Sequence, residues 1–215
     1  MKLYYHPVSP YSQKVLMALY EKEVEFEPVI VHLIDPDEAA EYRKLHPLGK
    51  VPLLVDDSGD RGIPESSIII EYIDRHCPSA VKLIPDDPDL ARQVRFSDRM
   101  MDLYVTNMMS KIFFDGMRPE SKRDPFGVGE ARAMLDSMYS LIEIELTNKT
   151  WAMGDDFSMA DCAAAPALGY CRMVYPFDAY PHVKAYAGRL FERPSFVKVM
   201  KEAEPYLAAF ASRRS

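Results

Sequence analysis

The spacing of apolar positions changes several times in the first eighty residues. KLYYH, residues 2–6, is a short aromatic and apolar run ended by Pro7, the pattern of a strand. In YSQKVLMALYEK, residues 11–22, Val15, Leu16, Leu19 and Tyr20 recur at helical spacing, while Gln13, Lys14, Glu21 and Lys22 mark the side expected to be wetter. VEFEPVIV, residues 24–31, returns to strand character, and Pro28 predicts an edge or a break. DPDEAAEYRKL reads as a short helix with acids in its first turn, where they suit the dipole. HPLGKVP is then a turn, PLLVDD a strand, DSGD a hairpin-type turn and RGIP a brief further strand. In ESSIIIEYIDRHC a helix points Ile69, Ile70 and Ile73 at the core. The order β-α-β, α, β-β-α describes a small α/β domain whose first two strands are parallel, because a helix crosses between them.

Residues 78–88, PSAVKLIPDDP, hold three prolines and little periodicity, as a linker does. Everything beyond reads as helix and turn. Residues 89–114 form one long helical candidate, and GMRPESKRDPFGVG interrupts it. EARAMLDSMYSLIEIELTNK follows, with Met134, Met138, Leu141 and Ile142 on one stripe. SMADCAAAPALGYC, PHVKAYAGRLFER and PSFVKVMKEAEPYL complete the series, and the terminal ASRRS is expected to fray. The division drawn is therefore an α/β domain over residues 1–78, a linker over 79–88 and an all-α domain over 89–215.

Composition narrows the partners. The 215 residues are 48% hydrophobic, enough for a sizeable core. The net charge of -7, with signs mixed along the chain, leaves no basic footprint for nucleic acid. No signal-peptide pattern opens the sequence and no apolar run reaches eighteen residues, so no membrane contact is expected. Cys77, Cys162 and Cys171 form no CxxC pair, which fits a reducing, cytoplasmic compartment. The five histidines are scattered, with no metal-ligand spacing.

Three stretches carry chemistry. In HPLGKVPLL, residues 46–54, Pro52 stands where a turn becomes a strand. A trans proline can simply start the strand; a cis bond would turn Val51 backbone groups outward, toward an extended peptide ligand. In IPESSIIIEYI, residues 63–73, Glu65, Ser66 and Ser67 open a helix. They are either ordinary caps or a grip for an amino-acid head group, the amides taking its carboxylate and Glu65 its ammonium. In SPYS, Ser9 precedes Pro10 and is a natural N-cap, with Ser12 about one turn further on. A hydroxyl there can donate to a thiolate. Lowering a thiol pKa by about two units is worth roughly 3 kcal/mol of preferential stabilisation.

Together these motifs resemble the glutathione S-transferase superfamily over nearly the whole chain. SPYSQKV resembles its catalytic serine motif, GKVPLL its cis-proline loop, PESSIIIEYI the segment gripping the γ-glutamyl head, and GDDFSMAD, residues 154–161, its helical capping motif. The resemblance implies a thioredoxin-like N-terminal domain followed by a C-terminal helical bundle. It implies a homodimer that uses glutathione as co-substrate against a small, mostly apolar electrophile. Ser9 would be the catalytic hydroxyl and Ser12 its rival. Val51 with Pro52 would pair the cysteinyl backbone, Glu65 and Ser66 would hold the γ-glutamyl group, and Lys50 would meet the glycyl carboxylate. Tyr104, Met108, Lys111, Ile112 and Phe113 would line the electrophile site, unless their apolar members are core. Arg118, Lys122 and Arg123 form a basic cluster that suits a solvated turn or an anionic substrate. Asp161 belongs to a capping box with Ser158, and Phe157 is placed for a hydrophobic staple. The same fold also serves non-catalytic glutathione-binding or regulatory proteins and glutathione-dependent peroxidases, dehalogenases and isomerases.

Overall fold

The computed structural model describes residues 1–56 and 62–212. The DSGD turn and the end of ASRRS lie outside the described residues. The chain runs β1 (Lys2–Tyr5), α1 (Pro10–Glu21), β2 (Glu27–Ile30), α2 (Pro36–Leu45), β3 (Leu53–Val55), β4 (Gly62–Pro64) and α3 (Ser66–His76). It continues with α4 (Pro88–Met100), a π-helical stretch (Met101–Thr106), α5 (Asn107–Gly116), a 3-10 turn (Glu120–Lys122), α6 (Pro125–Glu145), α7 (Met159–Val174), α8 (Pro181–Glu192) and α9 (Pro194–Ser212). Its contacts divide into two compact units, Met1–Leu83 together with the segment from Pro194 onward, and Ile84–Arg193.

In the first unit the strand order is β2-β1-β3-β4, with β1 and β2 parallel and the other pairs antiparallel. Pro28 pairs with Leu3 on β2, an edge strand, where a missing amide costs no ladder bond on the outer side. The helix α1 departs from its expected wet face. Gln13, Lys14 and Lys22 are as buried as Val15, Leu16 and Leu19. Packing against both α3 and α9 explains it, because a helix covered on two sides has little wet face left. Each of these side chains donates at least one hydrogen bond from its tip. Gln13 Nε2 donates to the Pro7 carbonyl at 2.8 Å, Lys14 Nζ to Ser67 Oγ at 2.9 Å, and Lys22 Nζ to Asp74 Oδ1 at 3.0 Å and to the Val81 carbonyl at 2.9 Å.

The sequence division assigns residues 194–212 to the helical domain, but in the contacts of the structure α9 groups with the first unit. Polar anchors on α1 hold it there. Tyr20 donates to Glu202 Oε1 at 2.7 Å, Ser195 donates to Glu21, and the Lys198 ammonium stands 3.7 Å over the Tyr20 ring. Apolar periodicity cannot reveal which neighbour such a helix chooses.

The second unit is built around α7. Its ADCAAAPAL run is buried on nearly every side, and its small side chains let α4, the π-helical stretch, α5 and α8 approach closely. The expected helix over 89–114 is present as α4 through α5, widened in the middle by the π-helical turns. The helix α6 begins five residues earlier than expected. Pro125 takes its first position and Asp124 accepts from the Gly127 amide at 2.8 Å, so a capping proline, read as a breaker, is the start. Its buried stripe is Ala131, Leu135, Met138, Tyr139 and Ile142; Met134 and Leu141 of the expected stripe are exposed.

Candidate functional site

Sheet register brings the three chemical stretches to one end of the first unit. Tyr4 pairs with Leu53, and Leu53 pairs with Pro64. The segment after β1, the segment before β3 and the segment after β4 therefore leave the sheet side by side. These are the His6–Ser9 loop, Val51–Pro52 and Glu65–Ser66.

The Ser9 loop is closed by local bonds. The Ser9 amide donates to the His6 carbonyl at 2.9 Å. Ser9 is the N-cap of α1, in extended backbone, and its Oγ accepts from the Ser12 amide at 3.3 Å. An oxygen that accepts in a cap still carries its O–H as a donor. Ser12 is fully buried, and its hydroxyl oxygen accepts from the His6 amide at 3.3 Å. The two serines thus occupy different environments, one half-buried at the helix mouth and one inside it.

The Val51–Pro52 bond is cis. Tyr42 and Leu53 pack with the half-buried Val51, and the Tyr42 hydroxyl donates to the Lys50 carbonyl at 2.8 Å. Burial pushes the Tyr42 phenol well above its usual value, so it remains a donor at any physiological pH. Lys50 itself is exposed. Buried His46 stacks edge-on against Tyr42, with ring centroids 6.1 Å apart, which is turn packing.

Glu65 has φ 70° and ψ 118°, a left-handed backbone that a residue with a Cβ adopts at a cost of about 1–3 kcal/mol. It is exposed and makes no side-chain bond to cap α3, while Ser66 behind it is buried. Strain at an exposed glutamate that caps nothing is unusual in a merely structural turn. The Lys14–Ser67 bond ties this first turn of α3 to the first turns of α1. Sequence reasoning missed Gln13 and Lys14 because helical periodicity placed both on a wet face, and His6 because it reads as the end of a strand.

The residues expected to meet a second substrate separate into kinds. Tyr104 lies in the π-helical stretch with about a third of its surface exposed, a turn type often found at functional positions. Met108 is half-buried, and Phe113 packs edge-on against Phe114 at 5.3 Å. Ile112 is buried in the helical core, and Lys111 pairs with Asp124 at 3.8 Å. Arg118 pairs with Asp115 at 3.1 Å, and Arg123 Nε donates to the Arg118 carbonyl at 3.4 Å. Arg123 also borders a depression of about 580 Å3, but Asp115 and Glu120 there offset Arg123 and Arg132. Burial pushes the Cys171 thiol up to about 12, which makes it unreactive. Among the described residues no helix is long and apolar enough to cross a membrane.

Family comparisons agree with this geometry. The family model for the glutathione S-transferase N-terminal domain matches residues 3–80, and that for the C-terminal domain matches residues 105–194. The chain is 30% identical to the glutathione S-transferase hmp2 of Hypomyces subiculosus, over 94% of this chain and 99% of that one. The crystal structure of a glutathione S-transferase from Methylobacillus flagellatus with glutathione bound aligns with a TM-score of 0.84 at 29% identity, over 92% of this chain and 98% of that one. A second, from Methylobacterium radiotolerans in complex with glutathione sulfonate, aligns with a TM-score of 0.81 at 29% identity, over 92% and 93%.

Proposed function

The chain belongs to the glutathione S-transferase family, and from that membership we propose that Ser9 is the hydroxyl that activates glutathione in this transferase. Glutathione binds in extended form across the end of the sheet. Val51 pairs its cysteinyl backbone beside the cis Pro52, Glu65 takes the γ-glutamyl ammonium, Ser66 and the first amides of α3 take the γ-glutamyl carboxylate, and Lys50 meets the glycyl carboxylate. The Ser9 O–H donates to the sulfur and favours its thiolate, which attacks an electrophilic carbon of a small, mostly apolar molecule. Tyr104, Met108 and Phe113 are the residues proposed to meet that molecule. The enzyme supplies position and electrostatics, with no covalent intermediate of its own. The proposal extends to a cytoplasmic homodimer of the serine-motif branch.

The observation that carries this reading is the register that gathers Ser9, Val51 and Glu65 at one end of the sheet. Ser9 is preferred to Ser12 because Ser12 is fully buried, whereas Ser9 is half-buried at the mouth of the helix. The test is an ultraviolet titration of enzyme-bound glutathione thiolate. The wild-type protein should lower the thiol pKa by about two units, and Ser9→Ala should return most of that shift with affinity within about threefold. A bound thiol whose pKa is unmoved in both proteins would overturn thiol activation and leave a glutathione-binding protein without this chemistry.

Glu65 gives a second test with effects of opposite sign. In Glu65→Gly the left-handed backbone costs nothing, and the relief of strain offsets the added freedom of the unfolded chain. The variant should unfold at the same temperature as wild type or higher. Its glutathione affinity, measured calorimetrically, should fall by about 10- to 100-fold through loss of one charge-assisted bond. A fall in both quantities would make Glu65 a structural residue.

A further inference from the structure

One peptide group beside Ser9 is held at both of its polar ends. The Pro7 carbonyl accepts from Gln13 Nε2 at 2.8 Å, and Gln13 is fully buried. The amide on the other side of the same peptide plane, that of Val8, donates to His6 Nδ1 at 3.4 Å. No ordinary turn requires two side chains on a single peptide, since the β1–α1 connection is already closed by the Ser9 amide on the His6 carbonyl. A peptide fixed at both carbonyl and amide cannot rotate about its flanking torsions, so the next residue inherits a fixed direction. That next residue is Val8, and the Val8–Ser9 peptide after it is held in turn by the Ser9 amide on the His6 carbonyl, so the fixed direction passes on to Ser9.

We propose that His6 and Gln13 are positioning residues of the thiol site, clamping the Pro7–Val8 peptide so that the Ser9 hydroxyl points at the sulfur. The inference rests on Ser9 being the thiol-activating group. Gln13 acts through a donor and His6 through an acceptor, so the imidazole must be neutral, with its proton on Nε2. Three surroundings favour that form. The ring is half-buried; His32, on the segment after β2, faces it edge-on with centroids 5.8 Å apart; and Tyr206 of α9 covers it at 5.3 Å. Burial first, and His32 second, hold His6 below the usual histidine value. The groups facing it are therefore a second imidazole and a phenol, neither of which brings a carboxylate charge to hold a cation.

The experiment is the same thiolate titration on four further variants, with thermal unfolding recorded for each. His6→Phe keeps a ring against Tyr206 and removes the acceptor; Gln13→Met keeps the volume and removes the donor. Each should weaken thiolate formation roughly five- to tenfold, the effect of one misplaced hydrogen bond. His6→Asn offers an acceptor without titrating and should recover most of that loss. In a Ser9→Ala background, His6→Phe should add nothing, because positioning acts only through the group positioned. The proposal is overturned if His6→Phe and Gln13→Met leave the bound thiol unchanged, or if their effects add in full to Ser9→Ala. A Ser9→Ala protein with wild-type thiol ionisation would instead overturn the Ser9 assignment itself, so the two failures are distinguishable.

Discussion

Replacing Asp161 with alanine is expected to leave the second unit unfolded, and not to yield a folded enzyme with slow chemistry. The carboxylate is fully buried at the start of α7. Its Oδ2 accepts from the Ser158 amide at 2.8 Å and the Ser158 hydroxyl at 3.0 Å; its Oδ1 accepts from the Ala152 amide at 2.8 Å and the Tyr186 hydroxyl at 2.6 Å. Truncation strands four donors, three of them buried and the Ala152 amide half-buried, the buried ones at about 1–3 kcal/mol each, against a total stability of about 5–15 kcal/mol. Even partial rearrangement leaves a loss above about 4 kcal/mol. Asp161→Asn should be nearly as damaging, since its amide nitrogen would confront donors. Tyr186→Phe, which removes one donor and strands none, should cost only about 1–2 kcal/mol. Urea unfolding followed by far-ultraviolet circular dichroism reads all three. A folded Asp161→Ala protein of near-normal midpoint that had lost turnover would point instead to a catalytic base.

Burial raises the Asp161 carboxyl above its ordinary value, while the four bonds pull the other way. A raised folded-state value means that the native state holds the proton more tightly than the unfolded chain. The contribution of this group to stability is then full below the ordinary carboxylate value and is lost as pH rises through the folded-state value. Acid unfolding of this protein is not driven by Asp161.

The capping box was legible because its partners lie within four residues and its geometry is local. The cis-proline loop and the opening serines were legible as motifs, but the environments of the two serines were not. Ser9 and Ser12 differ in exposure only because α1 starts at Pro10 and His6 reaches Ser12 through its amide. The sequence also presents Gln13, Lys14 and Lys22 as ordinary surface polars. Their burial follows from α3 and α9, which cover α1 from two sides, and no local pattern carries those contacts. The early start of α6 has a different cause: Asp124–Pro125 is a helix-start signal, outweighed in the reading by Gly127 and Gly129 beside it. Strain at Glu65 depends on backbone angles and leaves no trace in residue type.

Breaking the ion pair of Lys22 and Asp74 from one side should cost about 3–5 kcal/mol, although helical spacing puts Lys22 on a wet face. The side chains are 2% and 7% exposed, and Nζ lies 3.0 Å from Oδ1. Each ion also anchors the chain after α3. Lys22 holds the Val81 carbonyl, and Asp74 Oδ1 accepts from the Leu83 amide at 3.0 Å. Lys22→Met keeps the apolar stem but leaves a buried carboxylate; Asp74→Leu leaves a buried ammonium and an orphaned Leu83 amide. Each should lower stability by several kcal/mol in urea titrations. The double variant removes both charges, so the desolvation penalty disappears along with the attraction. It should regain much of the loss and settle about 1–3 kcal/mol below wild type, the remainder being the Leu83 amide left without Asp74 and the Val81 carbonyl left with the Ser79 hydroxyl alone. Strict additivity of the single variants would mean that the ions act separately. Recovery in the double variant would show that the first unit holds the segment after α3 through a coupled pair, and that the cost of burying it is accepted for those two anchors.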